Sequence, residues 1–330
     1  MLYQDEFLQR LEAALRAALP AWGMPANASL RLLTISENAT YLAEDPIWGR
    51  KLVFRVHRPD YHTEAEIHAE LAWISALSAG KVVYTPRPIP TLDGRELMSF
   101  DDAGHTRYVV AFEFVKGSEP DTSHDLVHWY DVLGEITARL HQHSRTWERP
   151  AGFARKLWDF ETIIGLGPEA HWGDWRAAPG LDARGRDVLE RTEAALKTQT
   201  DAFGYGEDRF GLVHCDMRAA NLLVQADRMA VIDFDDCGLS WFAYDFAASV
   251  SFIEHEPYLP DLQSAWLAGY RRVAPFTHEA ALPMFVMLRR LQLTAWIGSH
   301  AETPTAQAMG AAYTQGTVAL AQRYLETVFA

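Results

Sequence analysis

Hydrophobic and polar positions follow two different periods along this chain, and the switching between them predicts its elements. Residues 4–19, QDEFLQRLEAALRAAL, are amphipathic at helical spacing. Ser29–Ser36 then alternates as a strand, Glu37-Asn38-Ala39 turns, and Thr40–Leu42 resumes as a second strand. Lys51–Pro59 is a third strand. Between residues 64 and 80, Ile67, Leu71, Ile74 and Leu77 recur on one helical face and Gly80 marks the end. Tyr108–Val115 is an apolar strand running into Lys116-Gly117. The segment His124–Ser144 places Leu126, Tyr130, Leu133, Ile136 and Leu140 at helical spacing. Further on, residues 210–214, 221–225 and 229–233 are three short β-compatible runs, the last two joined by the polar turn Ala226-Asp227-Arg228.

Those three runs frame the stretch with the most chemistry, Leu212–Asp236, which sets His214, Asp216, Asn221 and Asp233 in a fixed order. The pattern His-x-Asp-x-x-x-x-Asn fits without a gap, and Asp233 opens an Asp-Phe-Asp where protein kinases have Asp-Phe-Gly. Transfer of a phosphoryl group needs an oriented hydroxyl and cations that neutralise phosphate oxygens. Asp216 is the candidate base. Asn221 and Asp233 offer the hard oxygen atoms that suit Mg²⁺, and a hairpin between them would let both face one ion. His214 reads as structural support for the loop. Asp and Asn also favour ordinary turns, but the succession of strand, loop and hairpin is what the chemistry requires of these residues.

The stretch resembles the aminoglycoside phosphotransferase and choline kinase superfamily, whose usual string is His-Gly-Asp-x-x-x-x-Asn followed by Asp-x-Asp, and within it the bacterial stress-response kinase and homoserine kinase-like branch. Cys215 stands where Gly is usual, and Arg218 where His is frequent. The resemblance implies an α+β, protein-kinase-like fold of two lobes: a nucleotide-binding N-terminal lobe over residues 1–115, with an antiparallel sheet, and a mainly helical catalytic and acceptor-binding lobe over residues 116–330. It implies ATP and Mg²⁺ as cofactors. It makes Ser36, Asn38 and Thr40 phosphate-loop candidates, puts Arg55 where kinases hold their phosphate-binding Lys, and leaves Lys51 as the fallback. Either Glu66 or Glu70 should pair with Arg55, and the resemblance favours Glu70. Glu113, Phe114 and Val115 would meet adenine through backbone groups. Arg218 would stabilise the transferring phosphate with paired hydrogen bonds. Asp235 ranks above Asp236 as an additional metal ligand, and Asp245 would brace the catalytic loop.

Composition narrows the partners. A length of 330 residues, 48% of them hydrophobic, suits about two domains with a large core. The net charge of −14 argues against nucleic acid and mildly favours a cationic or amine-bearing substrate. The amphipathic, acidic start is unlike a signal peptide, and no run is long enough to span a membrane. Cys215 and Cys237 provide no disulfide framework and fit a reducing cytoplasm. His128, His141 and His143 read as packing or surface residues, and so do Trp158, Trp172, Trp175 and Trp241, whose alternative is an ammonium-binding pocket. The expected activity is therefore ATP-dependent phosphorylation of a hydroxyl on a small, amine-bearing molecule: an aminoglycoside, choline, ethanolamine or a homoserine-like compound. A protein Ser or Thr acceptor, a non-catalytic nucleotide-binding regulator and a metal-dependent hydrolase are the alternatives.

Overall fold

The computed structural model describes residues 5–35, 38–121, 126–167 and 169–328. In chain order the main elements are α1 (Asp5–Ala18), β1 (Ser29–Ile35), β2 (Ala39–Glu44), β3 (Lys51–Val56), α2 (Glu64–Ala79), β4 (Leu97–Asp102), β5 (His105–Glu113) and α3 (Leu126–Thr146). These are followed by α4 (Phe160–Ile164), α5 (Ala183–Phe203), β6 (Phe210–Val213), β7 (Leu222–Gln225), β8 (Arg228–Val231), β9 (Gly238–Trp241), α6 (Phe242–Ser249), α7 (Leu259–Arg271), α8 (Leu282–Ser299) and α9 (Pro304–Val328). The helix expected from His124 begins at Leu126, residues 124 and 125 lying outside the described set.

The chain forms two compact units. The first comprises Met1–Ser118, Glu148–Arg155 and Gln225–Asp235, and the second holds the remainder. The resemblance implies one division, after Val115. The first unit runs to Ser118 and takes in two later segments: Arg155 donates to the Glu66 carbonyl at 2.8 Å, and in the other segment Val231 donates its N–H to the Tyr84 carbonyl while Arg228 stacks on the Tyr84 ring.

In the first unit the antiparallel sheet runs β1-β2-β3-β5-β4. Side chains alternate between its faces. Leu52, Phe54 and Val56 of β3 join Leu11, Leu15 and Trp22 in the cluster under α1, so Arg55 must project from the other face. That face carries α2, whose Ile67 and Leu71 pack with Leu97 and Val110. Arg55 lies in register with Thr40 on one side and Val110 on the other. β4 is a strand that the alternation pattern does not single out.

α2 starts at a capping box: the Thr63 hydroxyl accepts from the Glu66 N–H, and the Glu66 carboxylate accepts from the Thr63 N–H. Glu66 is thereby committed to the helix end. Glu70, one turn further on, lies on the buried side.

The second unit is mainly helical, with β6 and β9 paired antiparallel. α3 and α7 approach backbone to backbone at two glycines. A Cβ added to Gly134 would lie 2.0 Å from the Trp266 carbonyl oxygen, and one on Gly269 would lie 1.9 Å from that of Asp131. No described helix is long and apolar enough to cross a membrane.

Candidate active site

In the first unit, polar side chains gather on the α2 face of the sheet. Arg55 donates from one terminal nitrogen to Glu70 at 2.6 Å and from the other to Asp233 at 3.2 Å, and its guanidinium lies over the Phe112 ring. Arg55 and Glu70 are almost wholly buried, at 5% and 0% side-chain exposure, so each is the other's main compensation for lost hydration. The pairing favoured on the sequence, Arg55 with Glu70 rather than Glu66, is the one the fold makes.

Asp233 and Asp235 flank Phe234, which packs edge-on against Trp73 of α2, and both carboxylates approach the same terminal nitrogen of Arg55, at 3.2 Å and 3.6 Å. Asp233 has a backbone φ of +60° and a side chain 47% exposed. A non-glycine residue in the left-handed region carries strain, a feature concentrated at functional sites. Asp235 is enclosed. Its carboxylate accepts from the Asn38 side-chain nitrogen at 2.7 Å, and it sits 3.4 Å from His62 and 3.6 Å from both Arg55 and His57. Its carboxyl is held well below the usual range, since the attraction of His62 and Arg55 outweighs the burial that would raise it. Burial would lower His62, but Asp235 and Glu66 draw it up to about 9. His57 is pushed well below its ordinary value, by burial first and by Arg55 next.

The phosphate-loop candidates fare differently. Ser36 lies outside the described residues. The Asn38 amide is occupied on both sides, its oxygen accepting from the Arg58 N–H at 3.0 Å while its nitrogen holds Asp235. Thr40 shares the face of Arg55 through their cross-strand register. At the end of β5, the Glu113 N–H donates to the Arg87 carbonyl and its carboxylate pairs with the Arg87 side chain, while Val115 is buried just beyond the strand.

In the second unit, the loop after β6 is organised around Asp216. One of its carboxylate oxygens, Oδ1, accepts from Arg289 at 2.5 Å, and Oδ2 accepts from Arg218 at 3.2 Å and from the Asn221 amide at 2.8 Å. Burial alone would raise this carboxyl, but Arg218, Arg289 and His214 bring it below the ordinary range, so it stays ionised near neutrality. Asn221 also donates to the Asp216 carbonyl. With its nitrogen engaged twice, the amide oxygen is the atom that Asn221 can offer a cation. Arg218 is about a third exposed.

Asp245, from α6, holds the loop in place. Its two oxygens accept from the N–H groups of His214 at 3.2 Å and Cys215 at 2.8 Å, and His141 of α3 meets it at 3.0 Å. His141 is fully buried and its imidazole is shifted down by that burial, against the opposing pull of Asp245, so the neutral ring can donate from Nε2 to Asp245 and accept at Nδ1 from the Tyr270 hydroxyl. Cys215 adopts φ +66°, which explains why the related string has glycine there. Its thiol is buried and pushed well above the ordinary value, by burial first and then by Asp245 and Cys237. Cys215 is thus a packing thiol, and Cys237 is buried as well.

Arg289 is a partner of Asp216 that the linear motifs do not reveal. It sits beside Arg290 in α8, an otherwise apolar helix, and a pair of arginines inside such a run is the available signal. Arg290 has a separate role, bonding to Glu254, Thr317 and the Tyr313 carbonyl. Trp158, Trp172, Trp175 and Trp241 are all buried, in keeping with their expected packing role, and Trp172 additionally covers the Arg289 guanidinium at 4.8 Å.

The model of the phosphotransferase enzyme family matches residues 29–276. The solved structure of a microcompartment-associated aminopropanol kinase is 44% identical, with a TM-score of 0.88 over 96% of this chain and 98% of that one. A protein of Deinococcus radiodurans is 30% identical across 73% of this chain and 69% of its own length. The amicoumacin kinase of Bacillus subtilis is 23% identical across 76% of this chain and 68% of its own. The α+β, protein-kinase-like fold expected from the motifs is therefore the one found.

Proposed function

Because the chain belongs to the phosphotransferase enzyme family, we propose that it moves the γ-phosphoryl group of Mg-ATP to a hydroxyl of a small, amine-bearing alcohol of the aminopropanol type. The likeness to the aminopropanol kinase supports the acceptor class. The single observation that carries the chemistry is the Asp216 carboxylate, kept ionised and held by three donors, two from its own loop and one from α8. In the transfer, the acceptor oxygen forms a bond to the γ-phosphorus, the bond from that phosphorus to the β–γ bridging oxygen breaks with ADP as the leaving group, and the hydroxyl proton passes to Asp216.

Mg²⁺ would neutralise phosphate oxygens, and the residues present fit it. By donor chemistry, the Asn221 amide oxygen in the second unit and the half-exposed Asp233 carboxylate in the first would each be available to Mg²⁺, which needs few protein ligands when phosphates and waters complete its shell. Among the described residues no group of three His, Cys, Asp or Glu forms a self-sufficient metal cage. The surroundings of Asp235 favour a bracing role for it over the ligand role suggested by its motif position, because Asn38, His62, His57 and Arg55 encircle its carboxylate. Arg55, fixed by Glu70, would grip the ATP phosphates from the face it shares with Thr40, and Arg218 would offer its exposed side to the transferring group. At the nucleotide edge, Val115 is a better donor to adenine than Glu113, whose N–H is already engaged by Arg87.

The test is acceptor-dependent ADP release with Mg-ATP across a panel of amino alcohols, with Asp216→Asn as the blank. The variant should retain ATP binding and lose about 10²- to 10⁴-fold in turnover. Full activity in it would sink the reading, as would ADP release that no hydroxyl acceptor stimulates.

A further inference from the structure

Counting lone pairs on Asp216 shows which of its oxygens keeps acceptor capacity. A carboxylate has about four acceptor positions, two on each oxygen. Among the described residues three donors reach it: Arg218 and the Asn221 amide converge on Oδ2, while Arg289 alone takes Oδ1. Oδ2 is therefore saturated, and the remaining acceptor capacity is on Oδ1.

Arg289 is placed to hold that oxygen in one orientation. It is buried, with only 2% of its side chain exposed. Beyond Asp216 it donates to the Gln292 side-chain oxygen at 3.0 Å, to the Ser251 hydroxyl at 3.1 Å, and to the Cys215 carbonyl and Tyr244 hydroxyl at 3.4 Å. The rings of Trp172 and Tyr244 lie 4.8 Å and 5.9 Å from its guanidinium carbon. A guanidinium bonded at so many points cannot swing aside, and it ties α8 to both the carboxylate and the backbone of the catalytic loop. Burying a fixed charge in an apolar helix is costly unless it is fully compensated, and a well-packed apolar residue would have filled the space without that cost.

We propose that the acceptor hydroxyl is received at Oδ1 of Asp216, and that Arg289 is the positioning residue that turns this oxygen toward it. The inference rests on the phosphotransferase reading above. Without Arg289, the carboxylate is held through Oδ2 alone and Oδ1 is free to tilt, so the hydroxyl loses its aligned partner while Arg55, assigned to the ATP phosphates, keeps its own bond to Glu70.

The experiment uses the full chain, Mg-ATP and 1-aminopropan-2-ol as the acceptor probe, with Arg289→Gln, Arg289→Lys and Ser251→Ala compared with wild type. Near-ultraviolet circular dichroism checks that each variant is folded. In Arg289→Gln, kcat should fall about 100-fold, the scale of a misplaced reacting group, while KM for ATP stays within about twofold, the pattern of an interaction that does not contribute to nucleotide binding. Arg289→Lys should recover about tenfold of that loss, since an ammonium can still donate to Oδ1 without the rigid fork. A folded Arg289→Gln with kcat within about threefold of wild type, or a loss matched by an equal rise in KM for ATP, overturns the proposal. If both Arg289 variants fail to fold, Ser251→Ala decides, because it loosens Arg289 through its Nε bond alone: kcat should drop about fivefold, and an unchanged kcat overturns the proposal. A wild-type enzyme that no amino alcohol stimulates refutes the function itself, whereas an active wild type with an equally active Arg289→Gln refutes only the role of Arg289.

Discussion

Removing the Asp245 carboxylate tests how the catalytic loop is held. In Asp245→Ala, the N–H groups of His214 and Cys215 lose their acceptor in a fully buried setting, and His141 loses the partner of its Nε2. Each buried donor left without a partner costs about 1–3 kcal/mol, so two backbone donors and an imidazole amount to about 5 kcal/mol. The brace also maintains Cys215 at φ +66°, a conformation that costs about 1–2 kcal/mol for a residue with a Cβ. Relaxation of that strain and entry of water into the space should return part of the loss, leaving a net destabilisation of about 4 kcal/mol. Asp245→Asn retains one acceptor oxygen and the packing volume, and should lose about 2 kcal/mol. Urea unfolding followed by tryptophan fluorescence measures both variants, and ADP release under conditions where they remain folded should show about 100-fold lower turnover for the alanine variant. An Asp245→Ala stability within about 1 kcal/mol of wild type would refute the reasoning, since the two loop N–H groups would then have another acceptor.

Other perturbations test other parts of the molecule. Gly269→Ala forces a methyl to within 1.9 Å of the Asp131 carbonyl oxygen, so α3 and α7 must separate, and thermal unfolding should register a loss of at least about 3 kcal/mol. Glu70→Gln leaves the buried Arg55 guanidinium without its closest anion and should destabilise by about 3 kcal/mol and raise KM for ATP, as denaturation and initial-rate measurements will show. His62 is raised from 6.5 to about 9 in the folded chain, so its ion pairs with Asp235 and Glu66 contribute fully below its unfolded value and fade as pH rises through about 9. His62→Gln should therefore destabilise by up to about 3 kcal/mol at pH 6 and far less at pH 10. An equal effect at both values would show that His62 contributes packing alone.

The catalytic loop is legible in the linear sequence because its chemistry is local: Asp216 and Asn221 are five residues apart, and one turn of chain places the Asn221 amide on the Asp216 carboxylate. Alternation likewise marks β1, since a strand with one face against the core repeats every second residue, while β3 and β5 are marked by apolar, β-compatible runs. The choice between Glu66 and Glu70 is also within reach, for the Thr-x-x-Glu spacing from Thr63 to Glu66 is a capping signature that claims the first of the two.

Other features required the folded chain. Arg55 is flanked by apolar neighbours on both sides, and its face is set only once Phe54 and Val56 have packed beneath α1. Asp235 and Asn38 meet across 197 residues, and Arg289 meets Asp216 across 73. A linear pattern records which side of an element is apolar, because burial is a property of each position. It does not record which elements pack together, and the partners of a buried charge are chosen by that packing. The sequence alone thus determined the family chemistry and singled out Asp216 as the candidate base, while the tertiary structure decided which distant side chains hold that carboxylate in place.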